Sequence, residues 1–104
     1  MSDIADALRL DVQQVLTLRD LQELSGLAES MLRELVDYGA LEPLEWSAST
    51  MTFGAHCVVV ARTARRLSHD FELDTHAVAV MLRFVERIES LEAEVRALRA
   101  GRAR

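Results

Sequence analysis

Apolar residues after position 16 recur at helical spacing, and a glycine interrupts the pattern. The first apolar face consists of leucines three residues apart, which are Leu18, Leu21 and Leu24. Thr17 precedes this face and can cap the helix with its hydroxyl, with Asp20 at the capping-box position. Gly26 follows and can adopt the left-handed conformation that ends a helix. The stretch therefore predicts a short helix followed by a tight turn.

A second helix is predicted over residues 29–38. Met31, Leu32 and Leu35 would face inward, Gly39 would end the helix, and Pro43 would prevent an early return to helix. Two short helices joined by a tight turn have the outline of a helix-turn-helix.

The next segments predict a hairpin and a third helix. Residues 45–53 contain Trp46 and a short polar stretch between extended segments, which indicates a small hairpin, or wing. A third helix follows over residues 54–71, and Asp74 is a good cap for a last helix that runs to about residue 100.

The last helix carries the most regular pattern of the chain. Its apolar residues are spaced alternately four and three apart: Ala77, Met81, Phe84, Ile88, Leu91, Val95 and Leu98. This heptad pattern is typical of a coiled coil. A helix of about 25 residues is roughly 37 Å long, which is more than a small domain can cover. The distal half either folds back on its own domain or pairs with a second copy, and we favour the second copy. Val78 and Val85, on a neighbouring face, would pack in the chain's own core.

Residues 1–15 allow two interpretations. Leu8, Leu10 and Val12 alternate with charged residues as in a half-buried strand, whereas Ile4, Leu8 and Val12 equally fit one face of a helix. The pattern does not choose between them.

The composition indicates one small domain, or a domain with one long helix, in 104 residues. Half of the residues are apolar, which is enough for a core, and the single cysteine excludes a disulfide within the chain. The sequence has no apolar stretch of 18 residues, and its N-terminus lacks the basic and apolar parts of a signal peptide. We therefore expect a cytoplasmic protein that does not associate with membranes.

Charge is unevenly distributed along the chain. Residues 1–45 hold ten acids and three arginines, whereas residues 46–104 hold seven acids and nine arginines. The half with the helix-turn-helix outline therefore carries a net charge of −7. Affinity for DNA phosphates needs clustered positive charge, whereas an acidic surface favours a basic partner. We do not expect this half to bind nucleic acid.

Catalytic and metal-binding patterns are absent from the sequence. It contains no glycine-rich phosphate loop and no nucleophile motif. No two of the three histidines (His56, His69 and His76) are three or four residues apart, which is the spacing of a metal-ligand pair on a helix. We interpret Cys57 as a small buried apolar residue. We expect neither an enzyme nor a bound metal or cofactor.

The order of elements resembles the MerR-like winged helix-turn-helix fold, and within it the CbpM family of chaperone modulators. The residues that carry the resemblance are LEP at 41–43, Phe53, RLSHDFELD at 66–74 and AVAV at 77–80. The fold class this implies is mainly α. Residues 1–72 would form the winged helix-turn-helix domain, and residues 73–104 a long C-terminal dimerisation helix with a basic tail.

The resemblance implies a partner and a mechanism. Members of the CbpM family bind the J-domain of the co-chaperone CbpA and stop it from stimulating its DnaK-type chaperone. J-domains present a basic helix beside their His-Pro-Asp loop, so an acidic module that covers this helix would inhibit by competition. The alternative is a MerR-like transcription regulator that reads a symmetric DNA site.

The second helix departs from DNA-binding MerR proteins. Those proteins commonly have an arginine in this helix, then two aromatic residues and a later arginine. Arg33 matches the first arginine, but Glu34 and Leu35 stand at the aromatic positions and Asp37 at the later arginine. A face suited to phosphate has therefore lost most of its positive charge.

The predicted binding residues form two sets. The partner-binding set is Glu23, Glu29, Arg33, Glu34, Val36, Asp37 and Glu42. The dimer set is Met81, Phe84, Ile88, Leu91, Val95 and Leu98. The acids are open to a second interpretation as an ordinary solvated helix surface, and Val36 could be an interface anchor or a core residue. The arginines of the third helix (Arg62, Arg65 and Arg66) could meet phosphates or an acidic partner, but intrachain or solvent roles are favoured.

Overall fold

The computed structural model describes residues 14–47 and 49–102. These ranges form three short strands and four helices, which confirms a mainly α winged helix-turn-helix with a long C-terminal helix. In chain order they are β1 (Leu16–Thr17), α1 (Leu18–Ser25), α2 (Glu29–Asp37), β2 (Glu45–Trp46), β3 (Met51–Phe53), α3 (His56–Phe71) and α4 (Thr75–Arg102). The two interpretations of residues 1–15 fall almost wholly outside the described residues. The division of the chain at residue 72 stays a prediction.

The caps of α1 are formed as predicted. Thr17 Oγ1 accepts a hydrogen bond from the Asp20 backbone N–H at 3.0 Å, and the Thr17 N–H donates to Asp20 Oδ2 at 3.0 Å. At the other end, Gly26 adopts φ +80°, and its N–H donates to the Gln22 carbonyl at 2.8 Å. Arg65 of α3 lies over this glycine, so close that an added Cβ would be 3.0 Å from Arg65 Nε. The turn between α1 and α2 therefore requires glycine for its conformation, whereas the exposed Arg65 side chain can move aside.

The capping box allows a first test of the fold. Thr17→Ala removes the acceptor for the Asp20 N–H, and we expect the free energy of unfolding to fall by about 1 kcal/mol. Thr17→Ser keeps the hydroxyl and should stay close to wild type. Urea unfolding followed by circular dichroism measures both variants, and equal stabilities for the alanine and serine variants would contradict the role of the cap.

The strands form one antiparallel sheet in the order β1-β3-β2. Glu45 pairs with Thr52 in the wing hairpin, which confirms the prediction for residues 45–53. The sequence analysis did not predict β1, whose Leu16 pairs with Phe53. This pairing joins the start of α1 to the wing, so the helix-turn-helix and the wing are held as one unit.

The core lies where the helices meet the wing. All four helices and the wing contribute fully buried residues to it, which include Leu21, Leu32, Leu35, Phe53, Val58, Ala61, Ala64 and Val78. The two alanines lie on α3, where small side chains let neighbouring helices approach closely. The first turns of α4 join the same core through Val78, Ala79 and Leu82. The prediction that Val78 packs in the chain's own core is confirmed, whereas Val85 is half-buried and does not belong to the core.

Helix α4 extends well beyond this core. It has 28 residues, which corresponds to about 42 Å of helix. Every residue from 86 to 102 is exposed. The apolar residues of the distal half of α4 are therefore not buried within their own chain.

Candidate functional site

The outer face of α2 is acidic and has almost no free positive charge. Its one arginine, Arg33, is engaged by Glu29, with 2.9 Å between Arg33 Nε and Glu29 Oε2. Glu34 and Asp37 are exposed and have no ion-pair partner in the described ranges. Glu34 and Asp37 are three residues apart and so are neighbours on the helix surface. The end of α2 thus presents two unneutralised carboxylates to solvent.

These carboxylates do not stabilise the helix that carries them. The last turn of α2 contains no basic residue. An acid near the C-terminal end of an exposed helix opposes the macrodipole by about 0.3–1 kcal/mol. Asp37 occupies the last helical position, where a base would be more stable. The stability of α2 therefore does not explain the presence of this acid.

The other predicted acids lie on α1, on the first turn of α2 and in the loop after α2. Glu23 is exposed on α1, 3.8 Å from Arg19 in an i,i+4 pair. Glu42 is exposed in the loop that follows α2. We use the term acidic surface for the five exposed acids: Glu23, Glu29, Glu34, Asp37 and Glu42.

Val36 does not belong to this surface. It is only 5 % exposed and belongs to the hydrophobic core. Leu32, Leu35 and Val36 stand at i, i+3 and i+4, which places all three on the inward stripe of α2. The interpretation of Val36 as an exposed anchor is therefore wrong, and the core interpretation is correct.

The predicted dimer residues are all exposed in the single chain. They form one stripe along α4, which we call the apolar seam: Met81, Phe84, Ile88, Leu91, Val95 and Leu98. Phe84 and Leu98 are 60 % and 68 % exposed. The stripe spans 17 residue steps, or about 26 Å of helix. An uninterrupted apolar stripe of this length is typical of an interface.

Arg62 and Arg65 of α3 serve the fold. Arg62 Nε donates to the Leu24 carbonyl at 2.8 Å, near the end of α1. The Arg65 side chain packs over Gly26, as described above. These contacts agree with the intrachain interpretation of the arginines, while Arg66 is exposed.

Cys57 is a buried thiol at the start of α3. Burial raises the pKa of this thiol, and hydrogen bonds to the backbone at Gly54 and Glu42 counteract that rise only in part. The thiol therefore stays protonated at neutral pH and is a poor nucleophile. Within the part of the chain that the structure describes, no group of three His, Cys, Asp or Glu side chains is arranged to hold a metal ion.

The sequence analysis missed an apolar groove of about 360 Å³ between α3, α4 and the loop after α2. Leu44 lies on its wall and is 61 % exposed, and Trp46, two residues further along the extended wing, is 64 % exposed. No local pattern reveals the groove, since its walls are about 15 to 40 residues apart in sequence. The only feature of the sequence that pointed to this region was Trp46, an apolar residue in a polar hairpin.

The comparisons with known proteins agree with this architecture. Residues 16–100 match the model of the MerR HTH family regulatory proteins, so the chain is a MerR-type helix-turn-helix protein. Proteins named chaperone modulatory protein CbpM from Escherichia coli K12 / DH10B and from Shigella boydii serotype 18 are each 37 % identical to it over 75 residues. The alignments cover 72 % of this chain and 74 % of each relative. The chain belongs to the CbpM family. Among the described residues, no helix is long and apolar enough to cross a membrane.

Proposed function

We propose that this protein binds the J-domain of a CbpA-type co-chaperone through the acidic surface. The bound protein covers the basic helix of the J-domain and so blocks stimulation of the DnaK-type chaperone. This function needs no catalytic group and no cofactor. We place it in the cytoplasm, where its partner would act.

The observation that carries the proposal is the charge of the exposed end of α2. Glu34 and Asp37 have no neutralising partner among the described residues, and the one arginine of the helix is held by Glu29. Carboxylates in this state attract a basic helix at long range and pair with it on contact. The membership of the CbpM family, whose named relatives are chaperone modulators, supports the same conclusion.

We further propose that the protein acts as a homodimer through the apolar seam. Pairing two copies of α4 would cover the exposed residues of the distal half with the seam of the partner. The acidic surface lies on α1, α2 and the following loop, away from the distal half of α4. A dimer could therefore hold two J-domains at once.

Binding to DNA is the second candidate function, and the match to a family of regulatory proteins favours it. In that case the second helix of the helix-turn-helix would enter the major groove. The charge of α2 opposes this arrangement, because Asp37 and Glu34 would be repelled by phosphates. Fold alone does not separate these functions.

Calorimetric titration distinguishes the two candidates. The protein is titrated at near-neutral pH with the isolated J-domain of its own organism's CbpA-type co-chaperone, and in parallel with a random DNA duplex. We expect a dissociation constant of about 1 μM or tighter for the J-domain, which corresponds to about 8 kcal/mol, and no binding to DNA. Binding to DNA alone would instead establish the regulator.

A further inference from the structure

The groove between α3, α4 and the loop after α2 is apolar inside and acidic at its edge. Val59 and Val60 of α3 and Val85 of α4 are half-buried along its walls. Leu82 lies at its base and is buried. Leu44 stands at one side and is largely exposed. Its volume of about 360 Å³ is within the range of sites that accept large side chains or small ligands.

Three carboxylates surround this apolar interior. Glu42 belongs to the loop after α2, and Glu86 and Glu89 lie one turn apart on α4. In the described ranges none of the three has an ion-pair partner. Two basic side chains also line the groove, His56 and Arg83, and Arg83 Nη2 donates to the Tyr38 carbonyl at 3.0 Å. Arg83 keeps its charge in this bond, so the three carboxylates leave the edge with a net negative charge. The edge therefore favours a ligand that carries positive charge around an apolar residue.

The groove adjoins the acidic surface. Residues 39–42, which directly follow α2, form part of its wall, and Glu42 belongs to both. Trp46 lies outside the lining of the groove, two residues beyond Leu44, and residues two apart in an extended chain point to the same side. Tryptophan is the residue type most enriched among interface residues that dominate binding energy. The acidic surface and the groove therefore meet at Glu42.

The groove stays open when the apolar seam is covered. On α4 its lining residues are Leu82, Arg83, Val85, Glu86 and Glu89. At 100° per residue their mean direction is roughly 130° from that of the proximal seam residues Met81, Phe84 and Ile88, and Val85 is the nearest to the seam, about 40° from Met81. A second copy on the seam would border the groove at Val85 and leave the rest of its α4 lining facing away from the partner copy, so we assign the groove to a different molecule.

We propose that this groove is the apolar half of the partner site and binds a basic amphipathic helix. One apolar side chain of that helix enters between Leu44 and Val85, and flanking bases pair with Glu42, Glu86 and Glu89. The proposal rests on the proposed function in one respect, since it identifies this helix with the basic helix of the J-domain. Affinity thus comes from the groove and Trp46 as well as from the acids of α2.

The test compares two aromatic residues that are equally exposed. Trp46 and Phe71 are each 64 % exposed, but Phe71 lies at the far end of α3, about 22 Å of helix from His56. We expect Trp46→Ala to weaken J-domain binding about tenfold, as truncation of a dominant interface residue does. Phe71→Ala should leave the dissociation constant unchanged. Neither side chain is buried, so both variants should fold, which circular dichroism checks.

A second pair of variants tests the edge of the groove. Glu89→Arg and Glu94→Arg make the same charge change at exposed positions of α4, but only Glu89 lines the groove. We expect about fivefold weaker binding for Glu89→Arg alone, with the dimeric state checked by light scattering. If wild type binds the J-domain and both Trp46→Ala and Glu89→Arg bind equally well, the groove is not part of the site and the proposed function stands. Absence of wild-type binding would overturn both.

Discussion

Replacing Leu91 and Val95 with aspartate should convert the protein from a dimer into a monomer. Both residues lie in the distal half of the apolar seam, where they are 41 % and 44 % exposed in the single chain. A dimer would bury four such side chains, two from each copy. Burial of each contributes about 1.5–3 kcal/mol, and a carboxylate left in their place would be desolvated without a partner. We expect the dimer dissociation constant to rise by at least about a thousandfold, which is about 4 kcal/mol.

The double variant should also lose helix. Most helical stability in proteins comes from the packing of an apolar face, and residues 86–102 of α4 are all exposed in a single chain. Without a partner this part should fray, so the far-ultraviolet circular dichroism signal should fall with the molar mass. The proximal turns should persist, because Val78, Ala79 and Leu82 anchor them in the core.

The control for this experiment is a pair of aspartates placed off the seam. Ser90 and Ala97 are exposed in the same stretch of α4, but they point about 130° away from the seam. Ser90→Asp combined with Ala97→Asp should remain a dimer by light scattering at tens of micromolar. A wild-type protein that is already monomeric at this concentration would contradict the dimer proposal, as would a Leu91→Asp, Val95→Asp variant that stays dimeric.

The features that the sequence predicted correctly are local ones. The capping box depends on Thr17 and Asp20 alone, three residues apart, and it forms as expected. Gly26 and Gly39 both adopt positive φ values at the ends of their helices. The heptad pattern of α4 is also visible in the sequence, because any helix that contains the seam residues must place them on one face. Such features follow from geometry that a few neighbouring residues determine.

The features that the sequence did not predict depend on distant segments. From the sequence, Val36 could have faced either solvent or the core. It is buried because α2 packs against the rest of the chain on that side. Strand β1 has two residues and exists only because Leu16 pairs with Phe53. The groove needs Leu44, Val60 and Val85 on three separate segments. Spacing within one element carries no information on such contacts, which is why the apolar part of the candidate site emerged only from the structure.

Reversing Glu34 and Asp37 to arginine should weaken J-domain binding at least about a hundredfold, since binding would bury both acids against bases and the loss of one partner of a buried charge pair costs roughly 2–5 kcal/mol. These two acids are better targets than Glu29, whose reversal would also break its 2.9 Å ion pair with Arg33. The variant should not be destabilised. Arginine at the C-terminal end of α2 favours the helix macrodipole, so the midpoint of thermal unfolding should stay the same or rise. Lost binding with retained stability separates a binding role from a structural one.

Salt and a matched variant complete the test of the acidic surface. About 0.5 M salt screens exposed charges beyond roughly 4 Å, so wild-type binding should weaken with added salt, and the Glu34→Arg, Asp37→Arg variant should be much less salt-dependent. Asp70→Arg with Glu94→Arg makes the same change in net charge at exposed positions outside the acidic surface and the groove. This control should bind the J-domain nearly as wild type does. If salt and the Glu34, Asp37 reversal both leave the affinity unchanged, the electrostatic mechanism is wrong even where binding is real. The groove and Trp46 would then have to supply the affinity.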